Sequence, residues 1–193
     1  MPKIGMEPIR RDALLKATIS EIGRAGSLDI TVSQIAKKAG MSSALAHHYF
    51  GGKEQIFLAA MRHTLTVYGA EVRGALAMAE TPRDRLEAIV RAGFNSSNFR
   101  KDVIAVWLNF YVLAQKSGEA KRLLTVYQRR LHSNLVHALR PLVGDRASHV
   151  AERAGAMIDG IYLRHVLSRT QPSGAAAAAD VLATLDLEIG TVQ

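Results

Sequence analysis

Residues 31 to 57 read Thr31-Val-Ser-Gln-Ile-Ala-Lys-Lys-Ala-Gly-Met-Ser followed by Ser43-Ala-Leu-Ala-His-His-Tyr-Phe-Gly-Gly-Lys-Glu-Gln-Ile-Phe. Thr31 stands before a helical apolar pattern at Val32, Ile35, Ala36 and Ala39. As an N-cap its hydroxyl accepts a first-turn N–H, and Gln34 three residues on returns the bond. The helix stops at Gly40, just after Lys37 and Lys38. Ser42 then caps a second short helix, and Lys53 opens a third after the Gly51–Gly52 pair. Two short helices around a tight glycine turn, the second rich in small polar and imidazole side chains, have the form of a helix-turn-helix that fits a major groove. Ala46 and Phe50, four apart, are expected to face inward. Ser43, Ala44, Leu45 and His47 then face outward, where hydroxyl and imidazole can bond base edges and Ala44 or Leu45 can meet a thymine methyl. His48 and Tyr49 fall nearer the phosphates. The Lys53 ammonium and the free N–H groups beside it suit a single phosphate.

Outward from this stretch the helical period continues. Apolar residues recur at Leu15, Ile19 and Ile22, at Phe57, Ala60, Met61, Thr64 and Tyr68, at Leu124, Tyr127, Leu131 and Leu135, at Val150, Ala154, Met157, Ile158 and Ile161, and at Ala178, Leu182, Leu185 and Ile189. Alternation of period two is nearly absent. The five prolines, at 2, 8, 82, 141 and 172, leave long tracts where no backbone donor is lost. An all-α fold of about nine helices follows. The Ala175–Ala179 run is expected to open the last of them, started by Ser173 or Gly174. The first quarter is punctuated by Gly26, Gly40, Gly51 and Gly52 and the rest runs longer, which puts a domain boundary near residue 55.

Charge supports the same division. The 193 residues carry 25 Lys+Arg against 17 Asp+Glu, a formal +8. Eight of those cations and four of the anions lie in residues 1 to 53, so half the net charge sits in about a quarter of the chain. A basic balance favours a polyanionic partner. Lys3, Arg10 and Arg11 precede the first helical pattern; such charge is usually solvated, but here phosphates or a minor groove come within reach.

Several classes are disfavoured. Zero Cys removes disulfides, thiolate metal sites and cysteine nucleophiles, and points to a reducing cytoplasm. No apolar run approaches the about 20 residues needed to span a bilayer, and Met1 to Arg11 lacks a leader's apolar stretch, so a soluble, unprocessed protein is expected. His47 and His48 are adjacent and His132 and His137 are five apart, off the i, i+4 spacing of a helical metal pair. No phosphate loop or hydrolase elbow is visible, so neither metal, cofactor nor catalytic residues are expected.

The spacing of Thr31, Ile35, Ala36, Ala39, Gly40, Ser42, Tyr49, Phe50 and Lys53 resembles the TetR family of one-component bacterial repressors, densely over residues 10 to 58. The resemblance implies a homodimer in which residues 1–55 form a three-helix DNA-reading head and residues 56–193 a helical body that senses a ligand and dimerises. It implies an inverted-repeat operator, with Thr31, Ser33, Tyr49 and Lys53 setting register on phosphates and Ser43, Ala44, Leu45 and His47 reading bases. The family often has Gly at the Ala44 position and Tyr at the His47 position, so operator sequence does not carry over. The opening Met1-Pro-Lys-Ile-Gly-Met with Ile9-Arg-Arg, together with Trp107-Leu-Asn-Phe-Tyr, Arg129-Arg-Leu-His-Ser-Asn-Leu and Ile158-Asp-Gly-Ile-Tyr-Leu-Arg, is similar to the choline-sensing members that repress glycine betaine synthesis.

That similarity gives the aromatic residues a second meaning. Trp107, Phe110 and Tyr111 lie at helical spacing in an apolar helix, where such clusters are usually core. For a choline sensor they become a cage, because a quaternary ammonium has no N–H to donate and is held by aromatic faces. Phe94, Tyr127 and Tyr162 are candidates to complete it, Asp159 to add a carboxylate, and Asn109 to bond the choline hydroxyl. Asp159 can equally cap a helix or pair with an arginine. The last two long helices, where Gly155 and Gly160 permit close approach, are the expected dimer interface. A regulator with another effector, such as a lipophilic cation, and an all-α carrier or enzyme that binds no operator remain as alternatives.

Overall fold

The computed structural model describes residues 5–167 and 173–190. Among them are nine α-helices, one 3-10 turn at Gly144–Arg146 and no strand: α1 (Met6–Ala25), α2 (Val32–Lys38), α3 (Ser43–Phe50), α4 (Lys53–Ala77), α5 (Pro82–Gly93), α6 (Lys101–Ala114), α7 (Gly118–Val143), α8 (Ala147–Leu167) and α9 (Gly174–Gly190). Their ends follow local chemistry. Gly26 closes α1 in the left-handed region at φ 67°, its N–H donating to the Ile22 carbonyl at 2.8 Å. Thr81 caps α5 in a reciprocal box with Asp84, and Pro82 takes the first helical position, where its missing N–H costs nothing. Ser173 accepts the Ala176 N–H at the start of α9, as expected for the alanine run. Pro141 falls in the last turn of α7, where it removes the bond to the carbonyl four residues back and helps to end the helix at Val143.

The helices form two compact units. The first holds residues up to Thr64 together with Lys101–Lys121, so it adds α6 and the start of α7 to the helix-turn-helix. This grouping differs from a split at residue 55, because α1 packs along α6 as well as on α2. Gly23 sets that approach. A Cβ there would stand 2.3 Å from the Asp102 Cβ and 2.5 Å from its Cα, so only glycine lets α6 come so near. The core contains Leu14, Ile22, Ile30, Ile35, Ala46, Ile56, Leu58 and Ile104, each at most 1% exposed. Thr18 and Thr64 are buried without cost, since each hydroxyl donates to the carbonyl four residues back.

The second unit holds residues Leu65–Arg100 and the chain from Arg122 on. α9 packs on α5 and α8, burying Leu86, Ile89, Val150, Val181 and Leu185. At the start of α9 a Cβ on Gly174 would stand 2.0 Å from the Phe94 carbonyl oxygen, so glycine is required there too. Ion pairs clamp α9 from both sides: Arg83 with Asp186, and Arg153 with both carboxylate oxygens of Glu188 at 2.6 and 2.7 Å.

Candidate nucleic-acid interface and effector site

The helix-turn-helix is built by side chains that bond one another before they meet any ligand. The Thr31 N–H donates to the Gln34 Oε1 at 2.7 Å, and the Thr31 Oγ1 accepts the Gln34 N–H at 3.1 Å, completing the capping box. The Thr31 hydroxyl proton also lies toward Gln34 Oε1 at 3.1 Å, within the same cap. Ser42 caps α3 by accepting the Leu45 N–H at 3.2 Å. Ser33 and Ser43, assigned separate roles from the sequence, meet with hydroxyls 2.7 Å apart. One donates to the other, so the pair keeps one free proton to offer outside. Ala44 and His47 are exposed and Leu45 is half-buried, while Ala46 is buried, as its spacing implied. Phe50 is only half-buried, because its face carries the Arg11 guanidinium rather than core.

Two residues gain a definite chemistry. The His47 Nδ1 lies 2.7 Å from the Gly51 carbonyl oxygen, which can only accept. The proton therefore sits on Nδ1, and the Nε2 of the neutral ring is an acceptor, suited to an adenine or cytosine amino group. Arg11 donates to the Tyr49 carbonyl at 2.8 Å and lies 4.6 Å from the Phe50 ring centroid. It ties α1 to α3, a structural task that leaves its other N–H groups at the surface. Arg10 and Lys53 remain exposed, with the Lys53 ammonium 5.8 Å from the Phe57 ring. His48 stacks obliquely on Tyr49. Lys3 lies outside the described residues.

The aromatic candidates divide between the units. Trp107, Phe110 and Tyr111 belong to the first, with Trp107 centred 6.4 Å from Phe110 and 6.1 Å from Tyr111, and both Trp107 and Phe110 buried. Asn109 donates its amide to the Gly26 and Ala105 carbonyls at 3.2 and 2.9 Å, so it holds the end of α1 to α6. In the second unit Phe94 and Tyr162 are brought together at 5.5 Å between ring centres, and Phe99 stands 5.1 Å from each. Tyr162 donates its hydroxyl to the Gly93 carbonyl. Burial is the main cause that pushes its phenol well above the ordinary tyrosine range, and Tyr68, Asp159 and Glu71 add to it. Burial raises Tyr68 as well, whose ring packs edge-on against Tyr127 at 5.8 Å. Glu71 is held by the side-chain amides of Asn95, at 2.9 Å, and Asn98.

Tyr68, Glu71, Phe99, Asn95 and Asn98 were not singled out in the sequence. The i, i+3 spacing of Tyr68 with Glu71 was the available signal, because it puts the pair on one face of α4, whereas Asn95 and Asn98 lie in the turn after α5. Next to this cluster a cavity of about 370 Å³ between α7 and α8 is lined by Tyr127, His132, Glu152, Gly155 and Asp159 among others. Tyr127 and Asp159 thus line one cavity, from α7 and α8 respectively. Among the described residues no group of three metal-ligating side chains occurs, and no helix is long and apolar enough to cross a membrane.

Comparison with known proteins agrees with this geometry. Residues 14–60 match the model for bacterial regulatory proteins of the tetR family, and residues 82–190 match that for the C-terminal part of BetI-type transcriptional repressors. The HTH-type transcriptional regulator BetI of Brucella anthropi is 56% identical over 180 residues, 93% of each chain. That of Agrobacterium fabrum is 50% identical over 179 residues, 92% of this chain and 86% of its own. A putative transcriptional regulator from Saccharomonospora viridis, solved in complex with choline, shares the fold at TM-score 0.82 and 20% identity, covering 93% of this chain and 97% of its own. A TetR regulator from Haloarcula marismortui does so at 0.80 and 17%, over 95% and 97%. The helix-turn-helix and the all-α body define a DNA-binding transcriptional regulator of the TetR family. Within it the chain belongs to the BetI-type repressors, whose curated relatives regulate transcription and are not enzymes.

Proposed function

We propose that this repressor binds an inverted-repeat operator as a homodimer in the bacterial cytoplasm, holds genes of choline-to-glycine-betaine conversion closed, and responds to choline without any cofactor. The observation that carries the effector half is the cluster in the second unit, where Tyr162 has Phe94 and Phe99 against its ring and Tyr68, Glu71 and Asp159 acting on its hydroxyl. Aromatic faces bind a quaternary ammonium at about 0.5 to 2 kcal/mol each, and two carboxylates supply the counter-charge. The choline-bound neighbour of the same fold supports the same ligand class.

On the DNA side, Ser43, Ala44, Leu45 and His47 read bases, the free proton of the Ser33–Ser43 pair and that of Ser42 reach phosphate, and His48, Tyr49, Lys53 and Arg10 add backbone contacts. For the dimer, a Cβ on Gly155 or Gly160 would meet nothing within 4 Å, and Leu163, Leu167 and Leu187 are 49%, 74% and 74% exposed on α8 and α9. A second copy covering this face removes that apolar surface from water.

Fluorescence anisotropy on the upstream DNA against a scrambled duplex at about 0.15 M salt, with and without choline, tests both halves. Specific binding that choline weakens is the expected result. Choline preferring the non-binding conformation by about 100-fold supplies about 2.7 kcal/mol per site, and operator must then weaken choline binding equally. Tyr162→Ala in the second unit should lose the choline response and keep operator affinity. Specific binding indifferent to choline leaves the repressor and refutes this effector, in favour of another such as a lipophilic cation.

A further inference from the structure

The first unit does not end with α3 and the start of α4, because the turn between α6 and α7 belongs to it. The Ser117 hydroxyl donates to the Glu54 carboxylate at 2.6 Å and accepts the Ala120 N–H at 3.4 Å, so one side chain caps α7 and ties the turn to the first turn of α4. Two residues further on, Glu119 accepts from the Gln55 amide at 3.4 Å and from the Arg62 guanidinium. The order of these partners fixes a direction. Gln55 and Arg62 are seven residues apart, about 10 Å along a helix axis, and Glu119 spans them, while Ser117 sits level with Glu54. The chain entering α7 therefore runs alongside α4 in the same sense. Lys116, one residue before Ser117, falls at the N-terminal end of α4, where Lys53 stands. The backbone there is already fixed, since the Lys116 and Ser117 N–H groups donate to the Leu113 carbonyl at 3.0 and 2.9 Å, and a contact made from it costs little ordering entropy. Lys116 is exposed and its ammonium has no ion pair among the described residues, whereas the nearby carboxylates of Glu54 and Glu119 are each engaged within the unit.

We infer that the α6–α7 turn is part of the DNA-binding surface, and that the Lys116 ammonium contacts a backbone phosphate beside the one taken by Lys53. This rests on the proposed docking of α3 and the start of α4 on DNA, and extends the contact surface to a segment far from the helix-turn-helix in sequence. The contact adds affinity without reading sequence, because phosphates carry no base information. Its signature is the salt dependence. Each phosphate neutralised contributes about 0.9 to the slope of log affinity against log salt on duplex DNA, so a lysine lost from both copies of a dimer lowers it by about 1.8. The experiment is fluorescence anisotropy of the full chain on the upstream duplex and on a scrambled one, from about 0.05 to 0.2 M salt. Lys116→Gln should lower the slope by about that amount and weaken binding to both duplexes by a similar factor, Lys116→Arg should keep the parent slope, and Lys53→Gln should match Lys116→Gln. Lys101→Gln removes an exposed cation at the far end of α6, about 20 Å away along the helix, and should leave the slope unchanged, which separates a contact from an effect of net charge. Far-UV melts check that each variant is folded. An unchanged slope in Lys116→Gln overturns the contact, as does an equal drop in Lys101→Gln. Where Lys53→Gln lowers the slope and Lys116→Gln does not, the docking of α3 and α4 stands without the turn; where neither lowers it, that docking fails as well.

Discussion

The two units solve the same packing problem with different ranges of interaction. In the first, the helix ends of the functional surface are set by neighbours in sequence, Thr31 with Gln34, Ser42 with Leu45 and His47 with Gly51, and among the described residues only Ser33 with Ser43 and Arg11 with Tyr49 join α1, α2 and α3 by side-chain hydrogen bonds. In the second, Tyr162 reaches the Gly93 carbonyl and Glu71 is held by Asn95 and Asn98, contacts that join separate helices. A DNA-reading surface must present a fixed pattern, and local bonds fix it at little entropic cost. An effector site must respond to a ligand, and contacts between helices are the ones that a helix shift can make and break.

Glycines give the sharpest way to break this comparison. Gly23→Ala forces a Cβ into the Asp102 backbone, so overpacking should cost about 3 kcal/mol or more despite the about 1 kcal/mol that alanine gains in a helix. Gly74→Ala, in the α4 segment of the second unit, meets nothing within 4 Å and should instead stabilise by up to about 1 kcal/mol. Urea denaturation of the two variants should therefore move in opposite directions, and a neutral Gly23→Ala would refute the close approach of α1 and α6.

Arg11→Ala comes next in size. It removes the bond to the Tyr49 carbonyl and the contact on Phe50, for a loss of about 1 to 2 kcal/mol. Because the arginine positions α3, operator affinity should fall while its salt slope stays near the parent value. A slope reduced by a full phosphate contact would restore the direct contact in its place.

The matched caps sharpen the contrast further. Thr31→Ala and Thr81→Ala each delete one reciprocal box and should each cost about 1 kcal/mol. Only the first should also weaken operator binding in the anisotropy assay. Equal effects on operator binding would mean that the cap in α5 reaches the reading surface, contrary to the separation of roles.

Most of the first unit was legible because its determinants lie within a few residues: the Thr31 box, the Gly40 turn, the Ser42 cap and the inward Ala46 all follow from spacing. Arg11 escaped because its partners are 38 and 39 positions away and a cation before a helix-turn-helix has an obvious alternative use. Asn109 escaped likewise, its amide bonded to a carbonyl 83 residues distant. In the second unit the helices were legible and the cluster was not. Phe94 and Tyr162 were named for their rings, whereas Glu71, Asn95 and Asn98 are ordinary polar residues whose meaning arises only when α4 meets the turn after α5. The grouping of α6 with α1 had no local sign except Gly23, a glycine in mid-helix that reads as a weakness until its neighbour is known.

The smallest expected effect concerns the clamp on α9. The bidentate bond from Arg153 holds the Glu188 carboxyl below the usual carboxylate range, outweighing its desolvation. A folded-state value lower than the unfolded one means that the unfolded chain takes up the proton first as the solution is acidified. The clamp's contribution is therefore complete near neutrality and is lost as the pH falls from the ordinary glutamate value through the depressed one. Arg153 is largely solvated and Glu188 half-buried, so the contribution is small and partly screened by salt. Glu188→Gln should accordingly melt slightly below the parent at neutral pH, and the gap between the two should close in acid. A gap that stays constant from neutrality down through the carboxylate range would show that the glutamine change acts through packing of α9, and that the ion pair with Arg153 contributes nothing to holding it.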